Sequence, residues 1–211
     1  MIQGTEEVRI TGHTQGPFTA PEPLPKHLNN ETLSTGERAS LFGFNYWDNY
    51  TGQGQFVWDY PNNAIIAKNV LARRPESVLE IGCGRGYVLK RLQDAGLNVR
   101  GLEISRYCHL TRVCDSMQTW DICKFIWPLK DDFSPDLCLA LSVLEHIPEP
   151  LLPRVMAEMA RTCRRGLVAF DNTREDRTRC IVKPRHWWVE QFGLHTPGWP
   201  VEVMERHELE H

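Results

Sequence analysis

No hydrophobic run in this sequence is long enough to cross a bilayer. The longest, Leu137–Leu144, is interrupted by Ser142, whereas a spanning helix needs roughly 20 apolar residues. An apolar leader is also missing, since residues 1–16 are polar, and a cytoplasmic protein is expected. None of the seven cysteines pairs with another at C-x-x-C spacing, and the number is odd. That argues against a zinc cluster or a disulfide framework and for buried free thiols in a reducing compartment. An excess of one charge is lacking too: 24 Lys and Arg stand against 27 Asp and Glu, for a net charge of −3. Such a balance is a poor footprint for wholesale nucleic-acid binding. Internal repeats and low-complexity tracts are absent. What is present is an ordinary globular composition, 41% hydrophobic and 24% charged over 211 residues, which suits one domain with an attached segment.

Three zones follow one another. Residues 1–40 are polar, with Pro21, Pro23 and Pro25 favouring extended backbone. Residues 41–60 are dense in aromatics, among them Phe42, Phe44, Tyr46, Trp47, Trp58 and Tyr60. Residues 61–208 alternate between helical and strand patterns and form the expected domain, with 1–60 as an extension. Leu209-Glu210-His211 resembles the start of an expression tag and is set aside. Within the domain, helices are expected at 63–73, 87–95, 106–114 (with Tyr107, Leu110 and Val113 inward), 151–162 and from 183 onward. Strands are expected at 77–81, 98–103, 116–118, 136–141 and 166–171. Strands that alternate with helices and are apolar on both faces specify an α/β fold, a doubly wound, mostly parallel sheet.

The informative stretch is Glu80-Ile81-Gly82-Cys83-Gly84-Arg85-Gly86, between a strand and a helix. Glycines there let the backbone approach a ligand, and the first N–H groups of the helix add donors. Seventeen residues beyond Gly86 the next strand ends in Glu103, an acid able to accept both hydroxyls of a ribose at the sheet edge. A dinucleotide site wants G-x-G-x-x-G, but Tyr87 stands where its third glycine would fall.

The observed E-x-G-x-G-x-G spacing is similar to the first motif of class I S-adenosylmethionine (SAM)-dependent methyltransferases. Gly101-Leu102-Glu103-Ile104-Ser105 resembles the second motif, Trp120-Asp121-Ile122 the third, and Leu141-Ser142-Val143-Leu144-Glu145-His146 the fourth-strand motif of the small-molecule branch. The match runs over roughly residues 60–192. It implies a Rossmann-like sheet with SAM at the carboxyl ends of the strands. Glu80, Gly82, Cys83, Gly84 and Ser142 would shape the cofactor site, with Glu103 on the ribose. Ile104 and Ile122 would pack on adenine, and Asp121 would lie near its amino group. The family usually ends in an antiparallel hairpin strand; with only 194–208 left, and Pro197 and Pro200 within, a short or irregular last strand is expected.

Other residues admit two readings. His146 lies on the edge where the transferable methyl belongs and could take a proton from the acceptor. Alternatively Glu145 and His146 open the next helix and satisfy local backbone groups, the reading favoured on sequence. Relatives with E-x-x-E-H here bind a metal, but Ser142 replaces the first carboxylate, so no metal is expected. Cys83 reads as a small loop residue and not a nucleophile. The segment 161–185 carries eight Lys and Arg against three acids. Arg174, Arg179 and Arg185 could therefore steer an anionic acceptor, or the segment is a solvated loop. The aromatic cluster at 41–60 either covers the cofactor as a lid or covers the sheet edge. The expected function is methyl transfer from SAM to a small molecule. A non-catalytic SAM-binding partner protein is the alternative, and a nicotinamide oxidoreductase is disfavoured by Tyr87.

Overall fold

Ser77–Ile81 and Leu137–Leu141 are apolar on both faces, which suits strands covered on each side, and both are buried along their whole length. In the computed structural model, which describes residues 33–43, 46, 59, 61–129, 133–172 and 178–211, they form the centre of the sheet. Six strands are present among the described residues: β1 (Ser77–Ile81), β2 (Asn98–Glu103), β3 (Met117–Thr119), β4 (Leu137–Leu141), β5 (Arg165–Phe170) and β6 (Val201–Glu205). Their order is β3-β2-β1-β4-β5-β6, and every neighbouring pair is parallel. Strand order reverses between β1 and β4, leaving a crevice beyond their carboxyl ends where such sheets bind ligands.

The two-residue alternation along each strand divides the core into two layers. Leu137, Leu139 and Leu141 of β4 face a layer built by α2 (Pro61–Ala72), α3 (Tyr87–Asp94) and α7 (Arg206–Leu209). Cys138 and Ala140 face the opposite layer, built by α5 (Leu152–Thr162) and α6 (Arg185–His195). Two short helices complete the set, α1 (Thr35–Leu41) and α4 (Arg106–Leu110). Among the described residues no helix is long and apolar enough to cross a membrane.

Several expectations change. The last strand is short, as expected, but β6 is regular and runs parallel to β5, pairing Gly166 with Val201 through Phe170 with Glu205. Pro197 and Pro200 lie in the approach to β6 and not within it, so the ladder keeps its donors. Helix α4 stops at Leu110 because the Thr111 hydroxyl bonds back to Tyr107 O and Val113 N donates to Arg85 O, turning the chain away. Leu110, expected inward, is 69% exposed, and Cys108 takes the buried position. Leu209, set aside as tag-like, is buried against α2, where Asn69 Nδ2 donates to its carbonyl at 2.8 Å.

Among the described residues Trp188 is the largest fully buried side chain, stacked on Phe170 with centroids 5.7 Å apart, while neighbouring Trp187 is only partly buried. Trp188→Ala should destabilise the fold by about 3–5 kcal/mol in urea titration, and Trp187→Ala by clearly less. Equal losses would contradict the packing described.

Candidate functional site

The turn after β1 is built on glycine conformations. Gly82 has φ +62°, and a Cβ there would come within 2.3 Å of Val143 Cγ2, so the turn presses directly on the segment after β4. Gly86 caps α3 in the left-handed conformation, and a Cβ on it would meet Met117 Sδ at 2.6 Å. Ser142, at the end of β4, also has positive φ, +50°, rare for a residue with a side chain. Its N–H donates to Ala169 O at 2.7 Å, which fixes that strained bend.

Glu103 ends β2 with its carboxylate buried. Oε2 accepts from Gly84 N at 2.8 Å and Oε1 from Ser105 N at 2.8 Å. Burial pushes its pKa up to about 7, and these backbone donors hold it from rising further. Ile104 N–H also bears on it, and the carboxylate keeps acceptor capacity beyond these backbone donors.

Glu103 opens onto a cleft of about 640 Å³, its solvent mouth included, at the carboxyl ends of β1, β2 and β4. Of the residues singled out in the sequence, Gly82, Glu103, Ile104, Asp121, Ile122, Ser142 and His146 line it together. Glu80, Cys83 and Gly84 stand behind the lining. Glu80 is buried with Oε2 unpartnered, and burial carries its pKa to about 8, with Arg206 opposing and Glu103 adding to the rise. Burial also raises the Cys83 thiol well above its ordinary value, so it is no thiolate nucleophile.

His146 sits in a short 3-10 turn, Leu144–His146, after β4. Its Nδ1 lies 2.9 Å from Thr178 Oγ1, and its ring meets Phe42 edge-on at 5.7 Å. Glu145 points elsewhere: Oε1 accepts from Asp171 N at 3.0 Å, and its main-chain oxygen accepts from Cys180 and Ile181 N–H. Burial raises its pKa to about 7. Among the described residues no group of three or more His, Cys, Asp and Glu could hold a metal ion. Of the basic candidates, Arg179 is paired with Asp171 at 2.6 Å, and Arg185 with Glu208 at 3.2 Å; neither lines the cleft. Arg174 lies outside the described residues, as do most aromatics of 41–60.

A family profile described as a methyltransferase domain matches residues 59–207. The chain belongs to the class I SAM-dependent methyltransferases. An uncharacterized methyltransferase of Mycobacteroides abscessus is 30% identical over 135 residues, 61% of this chain and 46% of that protein. The chain thus spans about half the length of the curated relative it matches. A SAM-dependent methyltransferase from Archaeoglobus fulgidus shares the fold, with a TM-score of 0.56 over 72% of this chain and 73% of that one, at 14% identity. Magnesium protoporphyrin IX methyltransferase from Synechocystis PCC 6803, solved with SAM bound, gives a TM-score of 0.48 at 22% identity, covering 64% and 75% of the two chains.

The family's cofactor is SAM, and the cleft suits it: apolar walls, the buried Glu103 carboxylate with acceptor capacity to spare, and a glycine turn that admits close approach. Arg38 and Cys123 line the cleft without having been singled out in the sequence, whereas Phe42 and Tyr46 belong to the aromatic stretch 41–60. Only the spacing of Ser34 and Glu37, a capping box that starts α1, signals a helix in that polar zone.

Glu80 titrates in the folded state far above the unfolded carboxyl value, so the native form keeps a proton that the unfolded chain loses first. Its contribution is fully present below about pH 4.5 and is lost as pH rises through about 8. Without cofactor, Glu80 alone should cost about 2 kcal/mol of stability between pH 6 and 8.5, with Glu103 and Glu145 adding to the fall. Glu80→Gln should flatten that slope in denaturant titrations; an unchanged slope would place the ionisation elsewhere.

Proposed function

We propose that this chain transfers the methyl group of SAM to a small molecule bound in the same cleft. One observation carries the reading: Glu103 stands buried at the cleft edge, held by the N–H groups of Gly84 and Ser105 with lone pairs to spare. A vicinal diol such as a ribose supplies the two donors that fit it. Ile104 and Ile122 offer apolar walls for a purine, and Gly82 and Ser142 leave room for the amino-acid end of the cofactor.

When bound, SAM supplies a sulfonium methyl whose departure leaves a neutral thioether. The protein then has to align the acceptor, exclude water and receive a proton if the acceptor is O–H or N–H. His146 lines the same cleft as Glu103, and its ring is oriented by Thr178 at Nδ1 and by Phe42. We assign it the proton. An anionic group on the acceptor would be received from the loop after β5. Arg179 and Arg185 already have carboxylate partners, which leaves Arg174 of the three to receive it.

Calorimetry tests the function. S-adenosylhomocysteine and SAM should bind saturably and NAD should not. Glu103→Ala should weaken binding by about 2–4 kcal/mol, since two hydrogen bonds to a charged acceptor are lost. Tighter binding of NAD, or an unchanged constant in the variant, would overturn the assignment.

A further inference from the structure

Resting on the cofactor assignment above, we propose that the acceptor carries its reacting hydroxyl on an aromatic ring, seated by Phe42, Tyr46 and Ile147. The cleft is lined from both sides of β1. Glu103, Ile104 and the stretch 120–123 follow β2 and β3, the side that the cofactor reading gives to ribose and purine. Val143, His146 and Ile147 follow β4, on the other side of β1. The extension joins the β4 side through its rings. Phe42 meets His146 edge-on at 5.7 Å and Tyr46 edge-on at 5.2 Å, with interplanar angles of 87° and 80°. His146 shares its side of the cleft with these two rings and with the aliphatic Val143 and Ile147.

The charges in the lining are matched among themselves or to the backbone. Besides His146, the charged side chains that line the cleft among the described residues are Arg38, Glu103 and Asp121. Arg38 and Asp121 pair at 2.5 Å, and Glu103 takes the N–H groups of Gly84 and Ser105. A sugar-like acceptor would give up hydration against Phe42, Val143 and Ile147, whose side chains offer no hydrogen bonds. An aromatic ring buries apolar area there, and its edge and face complement the faces and edges of Phe42 and Tyr46. Proton chemistry selects the same class. A phenolic hydroxyl ionises at about pH 10, within reach of an imidazole, whereas an aliphatic hydroxyl resembles water, at about 15.7. In the transfer the phenolic oxygen gains the methyl as the carbon–sulfur bond breaks. The bonding pair stays on sulfur as a neutral thioether, and the phenolic proton passes to the His146 imidazole. The loop after β5 is left for any anionic substituent elsewhere on the ring.

The test uses the full chain, calorimetry of S-adenosylhomocysteine, and labelled-methyl transfer from SAM to matched probes. Catechol and naphthol should accept methyl, and both should bind the protein loaded with S-adenosylhomocysteine in saturation-transfer NMR. Cyclohexanol, close in size to catechol, and glycerate, an aliphatic anion, should do neither. Phe42→Leu should raise KM for the better phenol about tenfold while changing Kd for S-adenosylhomocysteine by less than about twofold. Transfer to cyclohexanol or glycerate at rates equal to or above the phenols would overturn the proposal. So would phenols that neither accept methyl nor bind. A Phe42→Leu variant that loses cofactor affinity and leaves phenol KM unchanged would also overturn it, by making Phe42 a wall of the cofactor site. Should that variant fold poorly, the probe series on the wild type decides alone. Failure of S-adenosylhomocysteine to bind the wild type, read without any acceptor, would overturn the cofactor assignment instead; phenol binding to the unloaded protein then decides the ring seat.

Discussion

A carboxylate at the end of β2 cannot sit buried unless donors meet it, and in this protein they come from two different loops. Gly84 N–H reaches Glu103 from the turn after β1, and Ser105 N–H from the start of α4. That pair of bonds ties the β1 turn to the β2 turn. The β1 turn in turn presses Gly82 against Val143, beyond β4. Three strand ends are thus brought to one place by glycine conformations and one acid. Burial raises the Glu103 pKa to about 7, so the site holds a carboxyl group whose charge is favoured by added donors. A ligand with two hydroxyls supplies them.

The sheet makes this position the natural site. β1 neighbours both β2 and β4, and the reversal of strand order between them opens the crevice that the side chains line. Cover there comes from α1, Phe42 and Tyr46, which belong to the extension that precedes the matched domain.

Much of this was legible in residue order. The strands β1, β2, β4 and β5 follow from short apolar runs, and Glu103 and the three glycines from their spacing, because local geometry dictates those residue types. Positions decided by distant partners were not legible. Leu110 fits a helical face, but α4 ends there once Val113 bonds to Arg85 O. β6 is parallel because the chain crosses through α6 before pairing with β5, a matter of topology that no window of sequence records. Arg185 reads as a candidate ligand until Glu208 is seen beside it, and nothing in the order of residues links Arg38 to Asp121. Ion pairs between residues far apart in sequence leave no local pattern.

The most direct test of the central claim is a crystal structure of the protein grown with S-adenosylhomocysteine. The account predicts both ribose hydroxyls within hydrogen-bonding distance, about 2.6–3.2 Å, of the Glu103 carboxylate, with the purine between Ile104 and Ile122. A nucleoside bound elsewhere, or a Glu103 carboxylate that touches no ligand atom, would contradict it.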